Sequence, residues 1–384
     1  MDTTQTPDIT PEMLQANPGL SIALVMFTLL FLLAVFGSIT SWVVVGVAWS
    51  KGKTMLGVLP WKPRPWGFIE IVLAMITMIA AQVLVVAASL PLLGIDPKTL
   101  QGGEGEAGAM PLSLTAAISG SYFVTIVVIC VWILLRYRCP IEVLGWSLKR
   151  LPKMVLVGIV AGLMFLPFMF AINLIVTLTS EVPYEHPVLD AMAEDGSAVS
   201  FLLACFSAVL VAPIAEEFLF RVLLQGWLQS IPFVSPVEAI VGRFSSSLSA
   251  GPLAPIEAVV LEPGSESASP LESMASSKVA ADNPFAVGVD ASVATASGVT
   301  VQQLGSEGVI PPIWPTIVSG ILFGLAHWGY GLSFIPLIAL GILLGMLYRA
   351  TQSIWPCIVV HFMLNASSMA ALGLNVYMSK IAGE

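Results

Sequence analysis

Three ionisable side chains, Glu216, Glu217 and Arg221, lie within an apolar stretch of the chain that spans residues 200–231. Such side chains are rare in a membrane-spanning helix, because a charged residue at its centre costs about 2.5 to 3.5 kcal/mol on insertion. On a helix Glu217 and Arg221 share one face and are expected to form an ion pair, whereas Glu216 points about 100° away. The pattern therefore predicts one neutralised pair and one carboxylate that is free to take up and release protons.

Two histidines, His327 and His361, fall in later apolar segments, with Phe323 four residues before the first and Asn365 four residues after the second. Water is scarce inside a membrane bundle, so these polar groups are expected to converge with Glu216. One imidazole and the carboxylate could activate a water while the other imidazole and the amide stabilise an oxyanion. Alternatively, Glu216, His327 and His361 could bind Zn²⁺. Both alternatives lead to hydrolysis without a serine or cysteine nucleophile.

The composition identifies an integral membrane protein, because 57% of the residues are hydrophobic and only 10% are charged. The predicted fold is all-α, a polytopic bundle of about eight transmembrane helices. The sixth and seventh segments are short for a crossing and are predicted to be either two spans or one tight, partly re-entrant hairpin. The eight segments are Leu20 to Trp49, Gly67 to Leu93, Leu112 to Leu135, Met154 to Thr179, Ser200 to Ile231, Pro315 to Tyr330, Phe334 to Arg349 and Ile354 to Leu374.

Lysine and arginine side chains predict the orientation of the bundle. They are concentrated in the first and third loops, whereas the fourth loop is acidic. The basic loops are therefore expected to be cytoplasmic, with both chain ends outside and the segment after Arg221 inside. The net charge of −9 argues against nucleic acid as a partner. Glu70, near the cytoplasmic end of its span, is expected to extend to the interface.

Residues 235–311 interrupt the apolar pattern with serine, alanine, glycine, proline and scattered acids. The segment is predicted to be a disordered cytoplasmic insertion. A tolerated surface insertion is favoured over a segment that docks a partner. The domain organisation is then an N-terminal region of four helices (1–199), a helix with the EExxxR motif (200–234), the insertion, and C-terminal helices with the FxxxH and HxxxN motifs (312–384).

The sequence lacks the residue patterns that several classes of protease require. No HExxH pattern occurs, and no aspartate falls in a predicted span. The serines beside Gly120 and Gly320 are expected to serve helix packing. The four cysteines form no CxxC pair and are likewise assigned to packing.

The three motifs in their order resemble those of the CPBP intramembrane protease family, which includes the type II CAAX prenyl endopeptidases and abortive-infection (Abi) or bacteriocin-processing proteins. The resemblance covers residues from about Ser200 to the C-terminus. The sequence departs from the family pattern at Val222, where relatives often have glycine, and in the length of the insertion.

The resemblance implies a membrane endopeptidase that acts on a membrane-associated or prenylated protein or peptide, as a metalloprotease or a glutamate-dependent enzyme, in the plasma membrane of a prokaryote. Glu216 with His327 would activate water, His361 and Asn365 would stabilise the oxyanion, and Glu217 and Arg221 would hold the site or contact substrate. Two other classes stay open: a catalytically silent scaffold that recruits a partner through the insertion, and a transporter whose buried charges relay protons.

Overall fold

The computed structural model describes residues 11–53, 61, 63–94, 112–179, 198–243, 310–329 and 331–382. Within these ranges the chain forms helices, as the sequence predicts. They are α1 (Pro11–Ala16), α2 (Pro18–Ser50), α3 (Phe68–Leu93), α4 (Leu112–Tyr137), α5 (Leu151–Thr179), α6, α7 (Pro236–Val241), α8 (Trp314–Leu325), α9 (Phe334–Thr351) and α10 (Trp355–Ala382). Helix α6 runs without a break through Ala198–Cys205, Phe206–Val211, Ala212–Glu217, Phe218–Gln225 and Gly226–Ser230.

Seven helices in the described part of the chain, α2 to α6, α9 and α10, are long and apolar enough to cross a membrane. Their apolar side chains are largely exposed on the outside of the bundle, as on α2, where only 6% of the most apolar window is buried. Such a surface suits lipid, which solvates leucine or valine as well as another helix does. The protein is therefore an integral, multi-pass membrane protein.

The sixth predicted segment forms a shorter apolar helix than the seven candidate spans. Helix α8 has only 12 residues, about 18 Å, which is shorter than a hydrocarbon core of about 30 Å. It turns back at residues 326–333 into α9, and the Arg349 side chain at the far end of α9 donates to the carbonyl of Pro311 at 2.7 Å. The start of α8 and the end of α9 therefore lie at the same end of the bundle; whether the pair crosses as two spans or forms a partly re-entrant hairpin stays a prediction.

The loops that carry the predicted cytoplasmic charges meet at this same end. Arg64, from the first of these loops, donates to the carbonyl of Val143 at 2.7 Å and to Gln352 Oε1 at 2.7 Å. Its backbone N–H donates to the hydroxyl of Ser230 at the end of α6. These bonds tie the basic loops to the ends of α6 and α9, which agrees with the predicted grouping; which side of the membrane they face stays a prediction.

The predicted insertion begins later than expected. Helix α7 starts at a capping box in which Ser235 and Glu238 each bond the other's backbone N–H, and this helix lies in a segment that was assigned to disorder. The Trp227 indole donates to Ala239 at 2.7 Å, and the backbone N–H of Arg243 donates to the carbonyl of Pro65. Most of the predicted insertion, residues 244–309, lies outside the described residues.

The expectation that Glu70 extends to the interface is wrong. Its side chain is fully buried, it accepts from the Tyr137 hydroxyl at 2.7 Å, and it pairs with Arg136 at 3.1 Å. Arg136 also donates to the carbonyl of Val241 at the end of α7. Glu70 is therefore a structural acid that joins α3, α4 and α7, and its partners on other helices were not recognisable from its own position in the chain.

Candidate active site

Helix α6 carries the acidic pair of the EExxxR motif between two π-helical turns, Phe206–Val211 and Phe218–Gln225, and Arg221 lies within the second turn. A π-turn widens a helix by one residue and is common at functional sites. Glu216 and Glu217 end the short α-helical segment between these turns. The two wide turns therefore bracket the acidic pair and set the directions in which its side chains point.

The predicted ion pair is present. Arg221 Nε lies 2.9 Å from Glu217 Oε2, and both side chains are fully buried. The other carboxylate oxygen, Oε1, lies 3.1 Å from Nδ1 of His361 on α10. An ionised carboxylate only accepts hydrogen bonds, so Nδ1 of His361 carries the proton and its Nε2 is left to face the centre of the site.

Glu216 lies between the two histidines. Its Oε1 is 3.9 Å from His327 Nε2 and its Oε2 is 3.8 Å from His361 Nε2. The Glu216 and His327 side chains are each 25% exposed, whereas Glu217 is completely buried. Glu216 and His327 are thus the groups of the cluster that an incoming molecule can reach.

His327 was expected within a helical span, but it lies in the turn two residues after α8 ends. Its Nδ1 is 3.0 Å from the carbonyl of Phe323, so Nδ1–H donates there and Nε2 points towards Glu216. The Phe323 ring lies at the centre of the cluster. Its centroid is 5.4 Å from that of the His327 ring and 5.7 Å from that of the His361 ring. The Cζ atom of Arg221 lies over the same ring, 5.1 Å from its centroid. Sequence spacing indicated the phenylalanine but not this threefold contact.

Asn365 lies one turn beyond His361 on α10 and is held by the first π-turn. Its Nδ2 donates to the carbonyl of Ala208 at 2.7 Å. The amide has a second N–H, so this bond leaves one donor for other use. Asn365 therefore ties α10 to α6 in addition to any contact with a reacting group.

One functional candidate was missed by the sequence reasoning. Ser319 on α8, which was assigned to packing, is fully buried and accepts from Arg221 Nη1 at 3.3 Å. Its hydroxyl also donates to the carbonyl of Phe220 at 2.9 Å. The signal in the sequence was its position four residues before Phe323, on the face that carries the motif.

Val222, at the position where relatives often have glycine, is fully buried in the core around α6. It shares that core with Phe218, Phe323 and Leu344. The bundle therefore accommodates the larger side chain without exposing it.

The donor chemistry of Glu216, His327 and His361 suits Zn²⁺, and each histidine is oriented through Nδ1 as metal-binding histidines are. However, no group of three or more His, Cys, Asp or Glu side chains in the described ranges is arranged to hold a metal ion. The chemistry below is therefore derived from the side chains alone, and a bound metal stays a proposal.

The fold and the site together define a helical membrane protein whose bundle contains a cluster of glutamate, arginine and histidine side chains. Residues 296–367 match the model of a family described as Rce1-like type II CAAX prenyl endopeptidase. The matched part contains His327, His361 and Asn365, whereas the EExxxR motif lies before it. The match confirms the resemblance to the CPBP family and supports a membrane endopeptidase in general. No curated protein and no solved structure matches the chain.

Proposed function

We propose that the protein is an intramembrane endopeptidase that hydrolyses a peptide bond of a membrane-associated or prenylated protein or peptide. The observation that carries the proposal is the position of the Glu216 carboxylate, within 4 Å of one Nε2 from each of His327 and His361. Both imidazoles are tethered through Nδ1, so both direct a fixed nitrogen at the same carboxylate.

Glu216 is the general base of the proposed reaction. A water within hydrogen-bond reach of its carboxylate and of His327 Nε2 would be held by both groups and would lose its proton to Glu216 as its oxygen attacks the scissile carbonyl. Oε2 of Glu216 is buried and has no hydrogen-bond partner among the described residues, so it is available to accept. The proton then passes to the leaving amine as the C–N bond breaks, which returns Glu216 to its ionised form.

His361 and Asn365 are assigned to the developing oxyanion, and Glu217 and Arg221 to the orientation of His361. The oxyanion needs N–H donors that are already in place before the reaction. Protonated at Nε2, His361 would donate from one side and the second N–H of Asn365 from the other. Glu217 supports this role because its carboxylate stabilises positive charge on the imidazole beside it.

Zinc is the alternative cofactor in this proposal. If Zn²⁺ were bound, Glu216, His327 and His361 would hold it, and it would supply a Lewis acid for the water or carbonyl. Membrane lipid surrounds the site in either case, and the cellular location is predicted to be the plasma membrane of a prokaryote.

The experiment compares the protein termini in membranes from cells with the wild type and with Glu216→Gln. Glutamine keeps the size and hydrogen bonding of glutamate but does not act as a base, so we expect terminal fragments that depend on the wild type to disappear while the protein stays folded. Glu142→Gln, at an exposed acid outside the site, is the matched control and should keep the wild-type pattern. Identical fragments from wild type and Glu216→Gln would contradict the protease and favour the scaffold.

A further inference from the structure

Helix α8 faces α6 along a single polar stripe that continues into the turn after it. The contacts run in antiparallel order: residues with higher numbers on α8 and in its following turn contact residues with lower numbers on α6. They are Thr316 Oγ1 with Gln225 Nε2 at 3.1 Å, Ser319 Oγ with Arg221 Nη1 at 3.3 Å, and His327 Nε2 with Glu216 Oε1 at 3.9 Å. The contact between His327 and Glu216 is thus the last of three in this polar ladder, which starts at Gln225 on α6.

The neighbouring face of α8, about 100° round the helix, packs closely against α9. A Cβ on Gly320 would lie 2.6 Å from the backbone nitrogen of Ile342, and one on Gly324 would lie 2.6 Å from that of Ile338. Such close approach of two backbones leaves little freedom for α8 to slide on α9. The α8–α9 hairpin therefore behaves as one rigid unit relative to α6.

Apolar packing alone defines the axial position of such a hairpin poorly, since one apolar turn resembles the next and lipid is as apolar as either helix. Single polar contacts specify register in helix pairs for this reason. A slip by one helical turn would displace His327 by about 5.4 Å and separate it from Glu216. The polar ladder is therefore what keeps these two groups opposite each other.

Within the ladder, Ser319 has a special place because its hydroxyl bonds both the side chain of Arg221 and the backbone carbonyl of Phe220. Phe220 belongs to the π-turn Phe218–Gln225, so the contact reaches the backbone of α6 where that helix is irregular. Gln225 is held differently: its Nε2 donates to the carbonyl of Gly345 on α9 and to the Thr316 hydroxyl on α8.

We infer that Ser319 is a positioning residue that sets the axial register of the α8–α9 hairpin against α6, so that His327 faces Glu216. This inference rests on the proposed hydrolytic function. Ser319 is assigned no contact with the reacting atoms. Its effect on the reaction is transmitted through Arg221, through the Phe220 carbonyl and through the placement of the hairpin.

The test uses Ser319→Thr and Ser319→Val, which have the same shape and differ only in the hydroxyl. The assay substrate is a synthetic peptide spanning a cleavage site whose fragment depends on Glu216. We expect Ser319→Val to lower kcat about 10- to 100-fold, the effect of a misplacement of about 1 Å, with KM changed less than about two-fold. Ser319→Thr should retain most of the wild-type kcat.

Two further variants keep the test decisive. Ser319→Ala adds no bulk and should lower kcat in the same direction if Ser319→Val does not fold. Ser121 on α4 is equally buried, but among the described residues its hydroxyl bonds the carbonyl of Ile118 in its own helix and no other helix, so Ser121→Val should leave kcat within about two-fold of wild type.

The outcomes separate this inference from the proposed function. Suppose that cleavage by the wild type depends on Glu216. Equal kcat for Ser319→Thr and Ser319→Val, or a rise in KM alone, then overturns the role of Ser319 but not the endopeptidase. Equal cleavage by wild type and Glu216→Gln overturns both. Loss of kcat in Ser319→Val, with recovery in Ser319→Thr, establishes the role of the hydroxyl.

Discussion

Nδ1 of His361 lies 3.1 Å from Oε1 of Glu217, whose other oxygen is bound by Arg221 at 2.9 Å. The second residue of the acidic pair is therefore the partner of a histidine as well as of an arginine. This contact determines which imidazole nitrogen faces Glu216, because a carboxylate acceptor keeps the proton on Nδ1. In the proposed reaction the neighbouring acids therefore have separate tasks: Glu217 orients His361, and Glu216 exchanges protons.

The buried ion pair predicts an asymmetric response to mutation. Glu217→Ala should lower the free energy of unfolding by about 3 to 5 kcal/mol, because it leaves Arg221 charged and without its carboxylate in a fully buried site. The double variant with Arg221→Met should be more stable than Glu217→Ala alone, since no unpaired charge remains. Thermal melts in detergent measure both variants.

The control for the ion pair is Arg243→Ala, which removes a partly exposed pair with Glu238 at 3.5 Å. A surface pair of this kind contributes about 0 to 1 kcal/mol, so its melting temperature should change little. If the double variant at the site melts below either of its single variants, the pair does not stabilise the protein in the way described.

Asn365→Ala is expected to reduce kcat roughly 100-fold with little change in KM, because an oxyanion donor acts mainly in the transition state. Loss of the bond to Ala208 should also destabilise the protein by about 0.5 to 1.5 kcal/mol. Turnover and detergent melts, measured on the same preparation, resolve the two effects. Asn375→Ala, ten residues further along α10, is the control and should keep full turnover.

A lower melting temperature for Asn365→Ala with unchanged turnover would limit this residue to joining α6 and α10. In that case His361 would be the remaining candidate donor to the oxyanion.

His327→Ala should reduce turnover more than Asn365→Ala does, because it removes a group that holds the attacking water. Metal analysis of the purified wild type and this variant tests the zinc alternative at the same time. Stoichiometric zinc in the wild type that is lost from His327→Ala supports the metal route. An active wild type without bound metal refutes it and leaves Glu216 and His327 as the activators of water.

The control for the metal analysis is His186→Ala, at the third histidine of the chain, which lies outside the described residues. It should change neither turnover nor metal content. Zinc lost equally from both histidine variants would indicate surface binding rather than a site at Glu216.

Local spacing was sufficient to predict several features of this protein. Four-residue spacing on one helix placed Arg221 beside Glu217, because residues one turn apart meet whatever the rest of the chain does. The same reasoning gave the face shared by Phe323 and His327, although a turn replaced the expected helix at His327. The all-α membrane fold followed from apolar segments, since a backbone in lipid must satisfy its own hydrogen bonds.

Contacts between distant segments were not predictable in the same way. Glu70 was expected at the interface because its own span ends there, yet Tyr137 and Arg136 from another helix bury it. Ser319 was expected to pack, yet it bonds Arg221 across the interface between two helices. In each case the residue type permits both outcomes, and only the neighbour supplied by folding selects one of them.

The sequence by itself determined that this is a helical membrane protein and which few polar side chains its apolar segments retain, because the cost of polar groups in lipid acts on every residue separately. The tertiary structure decided that α8 ends before His327 and leads through a turn into α9, that Asn365 bonds Ala208, and that His327 and His361 meet at Glu216. These features depend on how helices distant in the chain pack and in which register, and apolar periodicity specifies a face of a helix but not the partner of that face.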